Sequence, residues 1–164
     1  MTDSIDISVI ICTRGRSELL RGCLRSIEGG SKPPLEVLVV DQSEDELTEL
    51  AVDEARKVCR FDLRYLHLNG PGLSRSRNIG VREARGRVAA FTDDDCMVGS
   101  TWVAAIEREF TAPRTACVCG RTIPGNHLAR DRRMLISTLA CSERAVLSGR
   151  RNPSLLGRGN NMAF

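Results

Sequence analysis

Aromatic residues are scarce in this sequence, lysine is scarcer, and no apolar run approaches the length that spans a bilayer. Aromatics make up 4% of the 164 residues, and basic side chains are nowhere interleaved with them. With 24 basic residues against 21 acidic ones, the charge excess is also small, so nucleic acid is not an expected partner. Lys32 and Lys57 are the only lysines, and the remaining cations are arginines, which suit bidentate grip on phosphate or carboxylate. The seven cysteines include no CxxC pair for zinc, and no signal-peptide pattern precedes them. They read as reduced thiols of a cytoplasmic protein, with any membrane association peripheral, at the inner face. No Gly-Lys pair exists, which excludes the phosphate loop of ATPases. Internal repeats and low-complexity segments are missing too.

What is present is an alternation of short apolar runs with helical periodicity. Ile7 to Cys12, "ISVIIC", is continuous, as in a strand covered on both faces. Leu19, Leu20, Cys23, Leu24 and Ile27 form one helical stripe from Ser17 to the stop at Gly29-Gly30. Leu35 to Val40 is a second strand. Ser43 and Glu46 then match a capping box, for a helix carrying Leu47, Leu50, Ala51, Ala55 and Val58. Leu63 to Leu68 is a third strand, Ser74 opens a helix ending near Gly86, and Arg87 to Thr92 is a fourth strand. Ser100 caps a helix with Trp102, Val103, Ile106 and Phe110 on one side, and Ala116 to Cys119 is a fifth strand.

This order predicts an α/β fold, a mostly parallel central sheet flanked by helices. Residues 1–120 form one α/β region. Residues 121–164 begin a second, with a helix expected over Met134 to Ala140. "GRGNNMAF" closes the chain on apolar residues, so the fold is expected to be incomplete at its C-terminus.

The run Asp93-Asp94-Asp95 follows an apolar strand. Three adjacent carboxylates stay ionised only beside a cation. Mg²⁺ and Mn²⁺ prefer oxygen and often bind through one or two carboxylates plus phosphate. Alternate side chains of an extended backbone share a face, so Asp93 and Asp95 can enter one site while Asp94 turns aside. A solvated acidic turn is the bland reading. An EF-hand is excluded because Met97 and Val98 stand where a further ligand and a Gly belong.

Three further stretches lie where parallel sheets bind ligands, beyond the carboxyl ends of strands. "GPGLSRSRNIG", Gly70 to Gly80, sets Arg75 and Arg77 in the first turn of a helix, where the dipole disfavours cations unless an anion is bound. "CTRGR" follows the first strand with Thr13, Arg14 and Arg16. "VVDQS" ends the second strand with Asp41 and Gln42.

In this order and spacing, "ISVIICTRGR", "EVLVVDQS", "GLSRSRNIG" and "GRVAAFTDDDC" resemble the nucleotide-sugar-dependent glycosyltransferases of family two, which have the Rossmann-like GT-A fold. The resemblance covers Ile5 to about Phe110 and resumes at "GRGNNMAF". It implies a UDP- or TDP-type sugar donor, a glycan or lipid-linked acceptor, and metal-assisted, inverting transfer to a hydroxyl. Under it, residues 1–120 bind the donor and residues 121–164 begin the acceptor side. Thr13 would contact the nucleoside, and Asp41 with Gln42 would hold base or ribose. Arg14, Arg16 and Arg77 would lie near the donor's base or diphosphate. Asp93 would face the ribose and Asp95 the Mg²⁺ or Mn²⁺, with Asp94 between them. Gln42 departs from the second acid many relatives carry.

The resemblance places the general base on a later segment, expected beyond Phe164, and neither Asp131 nor Glu143 matches its motif. Two alternatives stand beside this reading. One is a non-catalytic nucleotide-sugar-binding module. The other is a nucleotidyltransferase, which would show a Gly-rich loop after the first strand where "CTRGR" offers only Gly15.

Overall fold

The computed structural model describes residues 4–112, 114–125, 143–147 and 161–164. The helix expected over Met134 to Ala140, and Asp131, lie outside the described residues. Within them the order is β1 (Ile7–Thr13), α1 (Ser17–Glu28), β2 (Glu36–Asp41), α2 (Leu47–Arg56), β3 (Asp62–His67), α3 (Leu73–Glu83), β4 (Val88–Asp93), α4 (Trp102–Phe110), β5 (Val118–Cys119) and β6 (Asn161–Ala163). The six strands form one sheet in the order β3-β2-β1-β4-β6-β5. The first four are parallel, and β6 runs antiparallel to both β4 and β5.

Every residue of β1 and β2 is buried, which explains why both are mostly apolar. Alternate side chains serve opposite faces. Ile7, Val9 and Ile11 join Val37, Val39, Val88 and Ala90 beneath Leu20, Leu24 and Ile27 of α1, Val52 of α2 and Ile106 of α4. Ile10 and Cys12 join Leu38, Val40, Ala89 and Phe91 on the other face. Truncating one such aliphatic side chain to Ala costs about 2–5 kcal/mol.

The second face is the thinner one, and α3 approaches it closely. A Cβ on Gly80 would stand 2.5 Å from Ile10 Cγ2, so only glycine lets this helix lie so near the sheet. Arg77 is carried one turn before that contact.

Helix starts differ from the expected caps. Ser43 is drawn away from the α2 terminus because its hydroxyl donates to Asp41 Oδ1 at 2.5 Å and accepts the Gly15 N–H at 2.8 Å. Asp45 instead accepts the Leu47 N–H at 3.0 Å. α3 starts after Gly72 and α4 after Thr101, neither with a side-chain cap, so Ser74 and Ser100 do not cap them. Leu19, Leu47, Leu50 and Val58 are exposed; on α2 the buried positions are Thr48, Ala51 and Val52. No helix among the described residues is long and apolar enough to cross a membrane.

Candidate active site

Parallel register decides which side chains meet at the carboxyl edge of the sheet. Thr13 pairs with Asp41, Asp41 with His67, and Cys12 with Asp93. Four strand ends therefore line up, and the turns after β1 and β4 face each other across them.

Asp94 is fully buried at that junction. Thr13 Oγ1 donates to its Oδ2 at 2.6 Å, and Arg16 Nε donates to the same oxygen at 3.0 Å. Arg16 Nη2 lies 2.7 Å from Oδ1, an ion pair whose alignment falls short of a hydrogen bond, so Oδ1 accepts none. Burial pushes the Asp94 carboxyl up. Thr13 and Arg16 oppose the shift, Asp95 and Asp93 add to it, and the net direction is upward.

The outer two aspartates face outward by comparison. Asp95 is half-exposed and meets Arg16 Nη1 at 3.3 Å. Asp93 ends β4 and accepts from Arg77 Nη2 at 3.0 Å. The Arg77 guanidinium also lies 5.9 Å from the centroid of the Phe91 ring, which Phe164 approaches at 5.7 Å. Thr13, Arg16, Arg77 and the three aspartates are thus one cluster. Arg75 stays with its own loop, donating to the Asn69 carbonyl at 2.7 Å. Burial pushes the nearby Cys12 thiol up to about 11, which suits an inert core thiol rather than a nucleophile.

A second feature sits beside this cluster, at the ends of β2 and β3. A cavity of about 440 Å³ is lined by Arg14, Gln42, Tyr65, His67 and Asn69, with Glu44 and Glu49 among its acidic wall residues. Its size suits a small organic ligand. The Gln42 amide is anchored to the Gly70 carbonyl, and Arg14 pairs with Glu44 at 3.1 Å.

Asp41 does not line this cavity. It is fully buried, and its oxygens accept from the Ser43 N–H and hydroxyl, at 2.9 and 2.5 Å, and from the Tyr65 hydroxyl at 2.9 Å. His67 Nδ1 stands 3.9 Å from Oδ2. Sequence reasoning missed Tyr65 and His67. The signal was there: on a strand parallel to β2 they alternate onto one face, and His67 stands level with Asp41.

Residues 8–158 match Glycosyl transferase family 2. The chain belongs to that family. Among its relatives is the succinoglycan biosynthesis protein ExoM of Rhizobium meliloti, 28% identical over 121 residues, 72% of this chain and 39% of the relative. The chain thus spans about two fifths of that relative's length. The mannosyltransferase PcManGT from Pyrobaculum calidifontis, solved in complex with GDP-Man and Mn²⁺, superposes with a TM-score of 0.66 at 24% identity, over 74% of this chain and 37% of that one. GalNAc-T7, solved with UDP, GalNAc and Mn²⁺, gives 0.62 at 25% identity, over 73% and 23%. The fold of this family 2 chain is that of the GT-A glycosyltransferases.

Proposed function

We propose that the family 2 chain carries the donor site of a glycosyltransferase that moves a sugar from a nucleoside diphosphate sugar to an acceptor hydroxyl. The observation that carries this is the carboxyl-edge cluster, where Asp93 and Asp95 stand outermost, each beside an arginine, next to a nucleoside-sized cavity. The complexes solved for PcManGT and GalNAc-T7, with GDP-Man or UDP and Mn²⁺, support it.

The residues suit Mg²⁺ or Mn²⁺. Among the described residues no group of three or more His, Cys, Asp or Glu is arranged to hold a metal alone. A metal that takes one or two carboxylates and fills its shell with phosphate and water needs none. Asp95, half-exposed and held by a 3.3 Å contact with Arg16 and a weak Cys96 thiol bond at 3.7 Å, keeps lone pairs for it, and Asp93 stands two residues away. A metal held by these carboxylates would supply positive charge to the departing diphosphate.

Arg77 would support the same charge, fixed in place by Asp93, Phe91 and the close seat of α3. Gln42, Tyr65 and His67 offer donors and acceptors to the nucleoside from the cavity wall. Asp41 holds that wall rather than the nucleoside, because its oxygens are already engaged by Ser43 and Tyr65. Thr13 likewise spends its hydroxyl on Asp94.

Calorimetric titration with UDP, TDP and GDP, each with and without Mn²⁺, tests this reading. At least one should bind in a metal-dependent manner, and Asp95→Asn should weaken that binding by about 100-fold. Unchanged affinity and unchanged metal dependence in the variant would remove Asp95 from the site.

A further inference from the structure

We infer that Arg16 is a built-in counter-ion for Asp95, seated on Asp94, which gives way when a metal arrives together with a diphosphate. The inference rests on Asp95 being the metal-binding carboxylate, as proposed above. It assigns Arg16 a positive role in coupling the two ligands, not only in touching one of them.

The three guanidinium nitrogens are unequally committed. Nε and Nη2 address Asp94, at 3.0 Å to Oδ2 and 2.7 Å to Oδ1. Nη1 reaches Asp95 at 3.3 Å, the long end of a charge-assisted contact. Asp94 is fully buried and clamped from its other side by Thr13, whereas Asp95 is half-exposed. Pulling Arg16 off Asp94 would strand a buried charge, which is costly. Releasing Asp95 costs little, because exposed pairs contribute little. The guanidinium therefore keeps its seat and exchanges only the partner of Nη1.

Charge sets the order of events. A dication arriving alone at Asp95 must approach a guanidinium already in contact with that carboxylate, and like charges at this range oppose each other. A metal accompanied by a nucleoside diphosphate brings phosphate oxygens that Nη1 can take in exchange for Asp95. Opposition becomes attraction, and metal and nucleotide each strengthen the other's binding. Direct ligation of phosphate to metal also couples them, so coupling alone is no signature. The signature is that removing Arg16 tightens binding of the metal on its own.

The test is Mn²⁺ titration, followed by electron paramagnetic resonance, with and without whichever of UDP, TDP or GDP the wild-type protein binds. Arg16→Gln alone would leave Asp94 buried and unpaired, so the variant is Arg16→Gln with Asp94→Asn, which keeps the net charge and a neutral hydrogen-bonded pair. Against Asp94→Asn alone, which lacks the same buried charge but keeps Arg16, Mn²⁺ alone should bind about tenfold tighter to this variant, and Mn²⁺ with nucleotide about tenfold weaker. Arg16→Lys, which keeps the charge but cannot span both carboxylates, should shift the same way by less, and it carries the test if the double variant does not fold. Mn²⁺ alone binding the folded double variant no tighter than Asp94→Asn, or Arg16→Lys no tighter than wild type, overturns the inference and leaves the donor site standing. Failure of all three nucleotides to bind wild type with Mn²⁺ overturns both.

Discussion

Two buried carboxylates stand at opposite ends of the same sheet, built from the same kinds of partner, and they end in opposite states. At the amino end of β2, fully buried Glu36 accepts from the Ser8 hydroxyl at 2.6 Å, the Arg85 N–H at 2.7 Å and Arg64 Nη1 at 2.8 Å. At the carboxyl end, fully buried Asp94 accepts from the Thr13 hydroxyl and from Arg16, but one oxygen gets no hydrogen bond. Burial pushes both carboxyls up. For Glu36 the Ser8, Arg64 and Arg85 hydrogen bonds outweigh it and the net direction is down; for Asp94 burial stays ahead of Thr13 and Arg16, with Asp95 and Asp93 adding to it, and the net direction is up. Glu36 is thus a finished structural joint, sealed by Gly86, whose N–H donates to Ser8 Oγ at 2.8 Å. The Asp94 end carries surplus negative charge that Arg16 and Arg77 only partly absorb. The difference teaches where to look for a ligand: at the end whose electrostatics are left unbalanced.

The largest effect should come from breaking the finished end. Glu36→Ala leaves Arg64 with Glu83 alone, orphans the Ser8 hydroxyl and the Arg85 N–H, and should cost about 2–5 kcal/mol in chemical unfolding. The folded fraction should still bind nucleotide with Mn²⁺, because the lesion lies a full strand length from Asp95. Loss of that binding in protein shown to be folded would mean the two ends are not separate.

A smaller effect should follow from Gly80→Ala. The added Cβ meets Ile10 Cγ2 at 2.5 Å and must lift α3 from the sheet, for about 1–3 kcal/mol. Here stability and binding should fall together, since Arg77 rides on α3 and its 3.0 Å contact with Asp93 depends on that seat. A variant that loses stability but binds donor nucleotide as before would take Arg77 out of the donor site.

The sheet was legible because β1, β2 and β4 are buried on both faces and are mostly apolar; β1 to β5 each lie within a residue or two of their expectation. The caps were not, because a serine placed to cap a helix can be claimed elsewhere, as Asp41 and, across the fold, the Gly15 N–H claim the Ser43 hydroxyl. β6 was read only as an apolar tail. It is the antiparallel strand between β4 and β5, and its Asn161 accepts from Trp102 Nε1 at 2.8 Å, a pairing no local pattern announces. Within the site, Asp93, Asp95 and Arg77 stand out in the sequence as charges in costly places. What Thr13 and Asp94 do for each other did not, since their contact spans 81 positions and depends on register.

The finest test of the comparison is acid titration, because Glu36 has a lowered carboxyl and Gln has none. A carboxyl whose folded value lies below its ordinary 4.5 gives stability that is complete above that value and is lost as pH falls through the folded one. The stability advantage of wild type over Glu36→Gln should therefore be flat from about pH 7 to pH 5 and shrink below about 4.5, with a slope of at most about 1.4 kcal/mol per pH unit. Glu28 and Glu107 are lowered as well, but both proteins carry them, so their contributions cancel in the difference. Urea unfolding of the pair at a series of pH values reads that difference directly. An advantage that stays level down to about pH 3 would mean that the charge on Glu36 does nothing for stability, and that Ser8 and Gly86 hold the amino end by shape and neutral hydrogen bonds alone.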